Sequence, residues 1–388
     1  MRRRTVPSLV TVCTLLAGPS ACRQDAATGG FDSATGGGSA TATGGTAGSA
    51  GGSAGATAGG GTAGSGVSGG DTGPLFDVGN GADIPIPCGP DGEDCKGACL
   101  FPVHQPCDAG TDDPFAAMGL NCPIEPQVDT DALGSPAAHG VIDAFGPTDT
   151  FTPREGSRMA VIGSGRISDL FKENPDSDNV VNPLWCNFIL PDGLNPGDGL
   201  PAPLVPQDVG PQTCADDPAL VGTGDCSNTI QGQFDQGMMA YDYADLRIAF
   251  DVPQGVKGFS FDFAYLTVEY PKYYQTGYND MFVGWLESES WTGNISFDEQ
   301  GNPISLNASF LEFLDDTKTL PEFDGTCMKG HAGTNWLTTS HPLTEGESVE
   351  LVFAIFDLQD ARLDSYVLLD NFHWECEKNV GPGTKPAG

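Results

Sequence analysis

The run "VKGFSFDFAYL" (Val256–Leu266) decides the fold, because apolar and polar side chains alternate along it. One face carries four aromatic rings: Phe259, Phe261, Phe263 and Tyr265. The opposite face carries smaller or polar side chains: Ser260, Asp262 and Ala264. A period of two is typical of a β-strand with one face against a hydrophobic core, so we expect a strand whose aromatic face is buried.

Similar strands recur beyond this run. "SVELVFAIF" (348–356) alternates in the same way, and "MFVGWLE" (281–287) and "YVLLDNFHWEC" (366–376) are also typical of strands. Only "PFAAMGL" (114–120) and "ISDLFKEN" (167–174) resemble helices, and both are short. Many short strands separated by Gly/Pro turns predict a mainly β protein, an antiparallel β-sandwich of jelly-roll or lectin-like type.

The charge balance excludes some partners. The 388 residues include 17 Lys+Arg and 52 Asp+Glu, which gives a formal net charge of −35. Such a negative field repels nucleic acid and anionic lipid headgroups, so we expect no nucleic-acid partner. The same field attracts divalent cations, and it also keeps an exported protein in solution.

The N-terminus predicts export. Residues 1–22, "MRRRTVPSLVTVCTLLAGPSAC", combine three arginines with a short apolar stretch, as a signal peptide does. Small residues precede Cys22, a candidate lipid attachment site, although Pro19 departs from the usual lipoprotein pattern. We therefore expect an outer-membrane or cell-surface lipoprotein that contacts the membrane only through this lipid, or alternatively a secreted protein.

Composition divides the rest of the chain. Residues 23–75 are rich in Gly, Ala, Ser and Thr and predict a flexible linker, because they cannot bury enough apolar area to fold. Residues 76–112 form a cystine-rich segment, residues 113–378 the sandwich domain, and residues 379–388 a disordered tail. An even set of cysteines in an exported chain predicts disulfides. The ten expected to pair are Cys88, Cys95, Cys99, Cys107, Cys122, Cys186, Cys214, Cys226, Cys327 and Cys376.

Outside the predicted linker, common catalytic motifs are absent from the sequence. Residues 23–75 match GxSxG and GxGxxG through their glycine and serine content alone; outside them the sequence contains no GxSxG and no dinucleotide fingerprint, and it contains no HExxH and no phosphate-binding loop anywhere. We therefore expect no catalytic residues and no enzymatic activity, and a secreted hydrolase is the least favoured reading.

Four blocks in order resemble a known family. They are "HGVIDAFGPTDTFTPREGSRMAVIGSGRI" (139–167), "VPQGVKGFSFDFAYLTVEYPKYYQTGYNDMFVGWL" (252–286), "NISFDEQGNPISLN" (294–307) and "GTNWLTTSHPLTEGESVELVFAIFDLQDARLDSYVLLDNFHWEC" (333–376). Together they resemble the choice-of-anchor L domain, in its myxobacterial type. The resemblance implies a β-sandwich on an exported surface protein, and it implies no particular biochemical activity.

Acidic and amide side chains collect at the ends of the predicted strands. Several carboxylates held close together need a proton, a basic residue or a cation to compensate their charge. Calcium takes six to eight oxygen ligands and is one candidate, whereas Asp and Asn side chains that cap turns are the other. The candidate calcium ligands are Glu269, Asn279, Asp280, Asp357, Asp364 and Asp370.

"EYPKYYQTGYND" (269–280) suggests a second kind of site. Tyr273, Tyr274 and Tyr278 follow no strand period, so they are candidates for a ligand-binding rim on a loop. The favoured function is a tethered, non-enzymatic surface module for binding or adhesion, with an unidentified extracellular glycan or protein as partner. The alternative is a structural envelope lipoprotein without a ligand.

Overall fold

The computed structural model describes residues 103–148, 150–175, 182–226, 229–376 and 381–388. The predicted signal peptide with Cys22 and the predicted linker lie outside these residues, as do Cys88, Cys95 and Cys99.

The described residues form fourteen strands. In chain order they are β1 (Asp129–Leu133), β2 (His139–Ile142), β3 (Met159–Gly163), β4 (Ala240–Asp251), β5 (Gly258–Thr267), β6 (Met281–Ser288), β7 (Thr292–Asn294), β8 (Ile304–Ser305), β9 (Leu311–Leu314), β10 (Ala332–Thr334), β11 (Leu337–Pro342), β12 (Ser348–Leu358), β13 (Ser365–Glu375) and β14 (Gly383–Pro386).

These strands build two antiparallel sheets packed as a sandwich. The six-stranded sheet has the order β1-β4-β12-β6-β7, with β8 also paired to β6. The eight-stranded sheet has the order β14-β11-β5-β13-β3-β2, with β10 paired to β5 and β9 to β10. The expectation of a mainly β, antiparallel sandwich is confirmed.

Alternation along the strands places the core between the sheets. Phe261 and Phe263 of β5 face Phe353 and Phe282 of the other sheet, with ring centroids 4.8 Å apart in each pair. All four rings are fully buried. The period-two pattern of Val256–Leu266 therefore predicted the buried face correctly.

The outward faces of both sheets also carry buried apolar side chains. On the eight-stranded sheet, Ala264 and Leu266 belong to a second cluster that includes Phe145, Phe151 and Phe323 from connecting segments. On the six-stranded sheet, the side chains of Val352, Ala354 and Phe356 pack with Leu204, Ile230 and Phe234. Long connections thus cover sheet faces that a simple sandwich would leave to solvent.

In the part of the chain that the structure describes, three short α-helices accompany the sheets. The predicted helical segments contain α1 (Pro114–Ala117) and α2 (Ile167–Leu170), four residues each. A third helix, α3 (Gln231–Gly237), was not predicted, because "QGQFDQG" has two glycines and one large apolar residue and so shows no helical period. Met238, the residue that follows α3, adopts a left-handed conformation with φ of 62°.

The C-terminal residues differ from the disordered tail that composition predicts. β14 pairs with the outer edge of β11 through four residues, from Gly383 to Pro386. The Thr384 side chain also bonds to the hydroxyl of Thr339 at 2.8 Å and accepts from the backbone N–H of Phe297 at 3.1 Å. The open edge of β11 provides backbone hydrogen bonds that order these residues, and composition does not reveal such an edge.

Disulfides brace the connections. The pairs are Cys107–Cys122, Cys186–Cys327 and Cys214–Cys226, and Cys376 is also disulfide-bonded. The cysteine pairing is therefore consistent with the expectation of disulfides for the cysteines that the structure describes.

Candidate metal centre

Two pairs of adjacent strands bring four acidic residues to one end of the sandwich. Glu269 and Asp280 flank the loop from β5 to β6, while Asp357 and Asp364 flank the turn from β12 to β13. β5 pairs with β13, and β6 pairs with β12. All four side chains are buried, and the strand pairing places these strand ends next to each other.

Asp280 is fixed from three directions. Its backbone N–H donates to Glu269 Oε2 at 3.1 Å, which joins the two ends of the β5–β6 loop. Its own carboxylate accepts the backbone N–H of Leu358 at 3.1 Å and the hydroxyl of Ser365 at 2.8 Å. The hydroxyl of Tyr265 donates to the Asp280 carbonyl at 2.8 Å, so side chain and backbone are both held.

Asp364 is held by a loop that crosses this end of the sandwich. The backbone N–H of Phe188 donates to Asp364 Oδ1 at 3.2 Å, and the hydroxyl of Tyr366 donates to Oδ2 at 3.2 Å. Gly165 leaves room for the carboxylate, since a Cβ at that position would overlap Asp364 Oδ2.

The structure adds a fifth carboxylate, Asp242, near the start of β4. Its Oδ2 accepts the backbone N–H of Leu190 at 3.2 Å, and Oδ1 is buried without a hydrogen-bond partner. Asp242 has φ of 44°, and Gly193 packs against Oδ1 where a Cβ would overlap it. We call Asp242, Glu269, Asp280, Asp357 and Asp364 the carboxylate cluster.

Asp357 is the member of the carboxylate cluster whose side chain has the fewest hydrogen bonds. Both of its carboxylate oxygens are buried, and neither has a hydrogen-bond partner of good geometry in the structure. Burial raises the pKa of Asp357 well above its usual value, and the charges of Asp280 and Asp364 raise it further. The nearby hydroxyl of Ser164 offsets only part of this rise in pKa.

The other cluster members show the same trend. Burial is the main cause in each case: it raises the pKa of Asp364 to about 8, that of Asp280 to about 7 and that of Asp242 to about 6. The pKa of Glu269 is raised well above its usual value, first by burial and then by the charge of Asp280. In the absence of a cation, these carboxyl groups hold protons more tightly than exposed acids do.

Basic side chains compensate a different acid. Partial burial raises the pKa of Asp360, and Arg362 and Lys272, the basic residues of the two loops, offset part of that rise. The charges that act most strongly on Asp357 are carboxylates. Ion pairing therefore does not explain how the cluster is stabilised at neutral pH.

Two predicted ligands do not join the cluster. The side chain of Asn279 donates to Gln233 Oε1 at 2.7 Å and accepts the backbone N–H of Asn307 at 3.1 Å. Asp370 accepts the backbone N–H groups of Arg154 at 2.6 Å and Glu155 at 3.2 Å. Both side chains cap backbone groups, which is the alternative role that the sequence left open for these acids and amides.

The three tyrosines of the β5–β6 loop take different environments. Tyr274 is 45 % exposed, whereas Tyr273 packs against the buried cluster outside the eight-stranded sheet. The rings of Tyr273 and Tyr278 lie 4.5 Å apart, and Lys272 Nζ lies 4.2 Å above the Tyr273 ring. Of the three, Tyr274 offers the most ring surface to a ligand.

The side chains as they stand do not form a finished metal site. Among the described residues, no three or more His, Cys, Asp or Glu side chains are arranged to hold a metal ion. Binding of an ion to the carboxylate cluster therefore requires side-chain rotation, for which Asp357 and Asp242 have oxygens free of hydrogen bonds. Within the same described ranges, none of the helices has the length and apolar character needed to cross a membrane.

Comparisons with known proteins found no match. A scan against models of protein families matched none of them, and searches of curated proteins and of solved structures also gave no match. Functional conclusions for this chain therefore depend on its own residues.

Proposed function

We propose that this chain is a non-enzymatic, exported surface module whose sandwich is stabilised by a calcium ion in the carboxylate cluster. The observation that carries the proposal is Asp357, whose two carboxylate oxygens are buried among other acids and make no hydrogen bond of good geometry. Burying an uncompensated carboxylate is costly, and a cation bound between several carboxylates removes that cost.

The donor set favours calcium over other ions. The cluster offers carboxylate oxygens, with the hydroxyls of Ser164 and Ser365 beside them, and no nitrogen or sulfur ligand. Calcium accepts six to eight oxygens in irregular geometry, whereas magnesium requires a regular octahedron and zinc prefers nitrogen and sulfur. One calcium ion balances two of the five carboxylates, and Asp280 and Asp364 are further stabilised by two hydrogen bonds each.

Calcium should therefore raise the melting temperature of the mature protein. At a concentration one hundred times its dissociation constant, an ion that binds only the folded chain stabilises it by about 2.7 kcal/mol. We expect an increase of several degrees when EGTA is replaced by millimolar CaCl₂, and a much smaller increase with MgCl₂. Differential scanning calorimetry of the wild-type protein measures both.

Two variants separate binding in the cluster from binding elsewhere. Asp357→Asn should abolish the response to calcium and leave the calcium-free protein at least as stable as the wild type. The matched control is Asp370→Asn, which alters a buried acid outside the cluster and should keep the response. A wild-type melting temperature that calcium does not change, or an equal response in Asp357→Asn, would contradict the proposal.

The surface location is supported by the sequence alone. The basic and apolar residues of the first 22 positions favour export, and Cys22 follows the small residues Ser20 and Ala21, as a lipidated cysteine does. We expect the wild-type chain to incorporate a fatty-acid analogue in its native host and to partition into detergent, and Cys22→Ser to do neither. Release of unlabelled wild-type protein into the medium would indicate the secreted form instead.

The β5–β6 loop is where we expect a ligand to bind. This loop carries the exposed Tyr274, and its two ends are joined inside the carboxylate cluster by the Asp280–Glu269 hydrogen bond. Aromatic rings on loops of a rigid sandwich suit glycan or protein ligands. Calcium in the cluster would hold both ends of this loop in place.

A further inference from the structure

A row of basic and aromatic side chains lies beside the carboxylate cluster. The segment around α2 supplies Arg166 and Lys172, and the loop at residues 184–190 supplies Trp185 and Phe188. Lys172 Nζ lies 4.1 Å from the centre of the Trp185 ring, and the Trp185 and Phe188 rings have their centroids 6.2 Å apart. Arg166 Cζ lies 5.1 Å from the centre of the Phe188 ring. We call these four side chains the aromatic–basic row.

The loop that carries the two rings is held in place. The backbone N–H of Trp185 donates to Asn174 Oδ1 at 2.7 Å, and the disulfide at Cys186 attaches the loop to the rest of the fold. The backbone N–H of Phe188 donates to the carboxylate cluster at 3.2 Å. A ligand that binds to this row therefore meets rings that are already in position, and little conformational entropy is lost on binding.

Arg166 has no acidic partner within the described ranges. Its partly exposed guanidinium contacts the Phe188 ring and forms no ion pair or hydrogen bond there, whereas Arg154, Arg158 and Arg247 each pair with a carboxylate. An arginine without a carboxylate is unexpected in a chain with 52 acidic and 17 basic residues. The ring fixes the position of the guanidinium without occupying its N–H donors, and these donors match the two oxygens of a carboxylate.

The remainder of the row is mainly apolar. Lys172 Nζ lies 2.6 Å from Asp169 Oδ1, so its charge is already compensated and the free positive charge lies at the other end of the row. Phe171, Leu184 and Ile189 are neighbours of the row in sequence, and all three side chains are exposed. The surface therefore offers a ligand one unpaired positive charge together with apolar area.

A linear acidic polysaccharide fits this surface better than a protein or a membrane does. Successive groups of the row are 4.1 to 6.2 Å apart, and a chain of sugar rings is narrow enough to follow them. Each uronic acid residue has an apolar C–H face for an aromatic ring and one carboxylate for a guanidinium. A protein partner would cover about 800 Å² of surface and come close to more of a chain whose formal net charge is −35. An anionic membrane would meet the same repulsion.

We propose that the aromatic–basic row binds a linear polysaccharide of uronic acid residues. Arg166 pairs with one carboxylate of the polysaccharide, and the rings of Trp185 and Phe188 contact the apolar faces of neighbouring sugars. This site requires neither bound calcium nor Tyr274, so its failure and the failure of the calcium proposal are distinguishable.

Isothermal titration of the mature protein with the tetramer of galacturonic acid, at about pH 6.5 in EGTA, tests the proposal. EGTA prevents calcium from bridging the carboxylates of the ligand and the protein, and the uronic acid groups are ionised at this pH. We expect one oligosaccharide per chain. The fully methyl-esterified tetramer keeps the sugar rings but has no charge, so it should bind at least about 10-fold more weakly. Arg166→Gln should weaken binding of the acid by about 10- to 100-fold, and Phe188→Ala by about 10-fold.

Arg362→Gln is the matched control, because it removes an exposed arginine outside the row and should change the affinity by no more than about two-fold. Arg166→Gln should fold, since the guanidinium has no hydrogen bond to lose in the described part of the chain, and its melting temperature checks this.

Four results would overturn the assignment. They are no binding of the acid at millimolar concentration, equal binding of the methyl ester, an affinity that Arg166→Gln leaves unchanged, and an equal loss in Arg362→Gln. Tighter binding to phosphatidylglycerol vesicles or to hexaglutamate would also overturn it, because the partner would then be a membrane or an acidic protein.

Discussion

Freed of divalent cations, the protein should lose stability as the pH rises from about 6.5 to about 8. A buried acid with a raised pKa binds its proton more tightly in the folded chain than in the unfolded chain. The contribution of this acid to the stability of the folded chain is fully present below the pKa that the acid has in the unfolded chain. It is lost as the pH rises through the pKa that the acid has in the folded chain. The pKa of Asp364 rises from 3.8 to about 8 on burial, so this carboxyl alone should cost about 2 kcal/mol over that interval.

Two buried histidines set the lower limit of this pH interval. Burial lowers the pKa of His331 and His341 to about 4, so their contribution is present above 6.5 and is lost on acidification. Below pH 6.5, the effect of these two histidines on the pH dependence of stability is opposite to that of the buried acids. His104 acts in the same direction as the acids, because hydrogen bonds to Glu125 and Glu155 raise its pKa to about 9.

Urea unfolding at several pH values in EGTA measures this decline. Asp357→Asn should make the decline shallower, since it removes a buried carboxyl group whose own raised pKa contributes to the decline. Calcium should reverse the decline in the wild type, because an ion competes best when the carboxyl groups have lost their protons. A calcium-free protein whose stability does not change between pH 6.5 and 8 would show that the cluster binds no more protons in the folded chain than in the unfolded chain, so that its pKa values are not raised.

Removal of the Cys186–Cys327 disulfide should destabilise the protein more than removal of Cys214–Cys226. The first bond closes a loop of 141 residues and the second a loop of 12. Chain entropy alone predicts losses of about 5 kcal/mol and about 3 kcal/mol respectively. The double variants Cys186→Ser/Cys327→Ser and Cys214→Ser/Cys226→Ser can be compared by urea unfolding in the presence of calcium.

The longer disulfide should also affect the carboxylate cluster. The backbone N–H of Asp364 donates to the Cys186 carbonyl at 3.0 Å, and Phe188 and Leu190, a few residues further on, donate to Asp364 and Asp242. Loss of the bond at Cys186 loosens this loop, so calcium binding should weaken in that variant only. Equal calcium affinity in both double variants would mean that the loop holds its position without the disulfide.

Much of the fold follows from local pattern. Strand periodicity in Val256–Leu266 and in residues 348–356 predicted which side chains lie between the sheets, and both predictions hold for Phe261 and Phe353. α3 and β14 were not predicted. Each of these two elements depends on contacts with distant segments. Such contacts produce no recognisable hydrophobic period within the seven residues of α3 or the four residues of β14.

The candidate site was predictable in part for a related reason. Glu269, Asp280, Asp357 and Asp364 lie at strand ends, and turn signals in the sequence locate those ends. Asn279 is adjacent to Asp280 at the start of β6, and neighbouring side chains there take different sides, so only one of the two could reach the cluster. Asp242 lies within a strand at a left-handed φ, which no neighbouring residue reveals.

The contact between His104 and His373 was not predicted either. His104 and His373 are far apart in sequence and follow no motif spacing, so only the three-dimensional structure brings them together.

The position of the Cys107–Cys122 bond has a mechanical consequence if the chain is held by its N-terminus. Tension that arrives at Cys107 passes through the sulfur atoms to Cys122, so residues 108–121 carry no load while the bond is intact. His104 lies on the loaded side, and its partners Glu155 and His373 belong to the sandwich. The ion pair between His104 and Glu155 would therefore bear force before the disulfide does, and it can break and re-form reversibly.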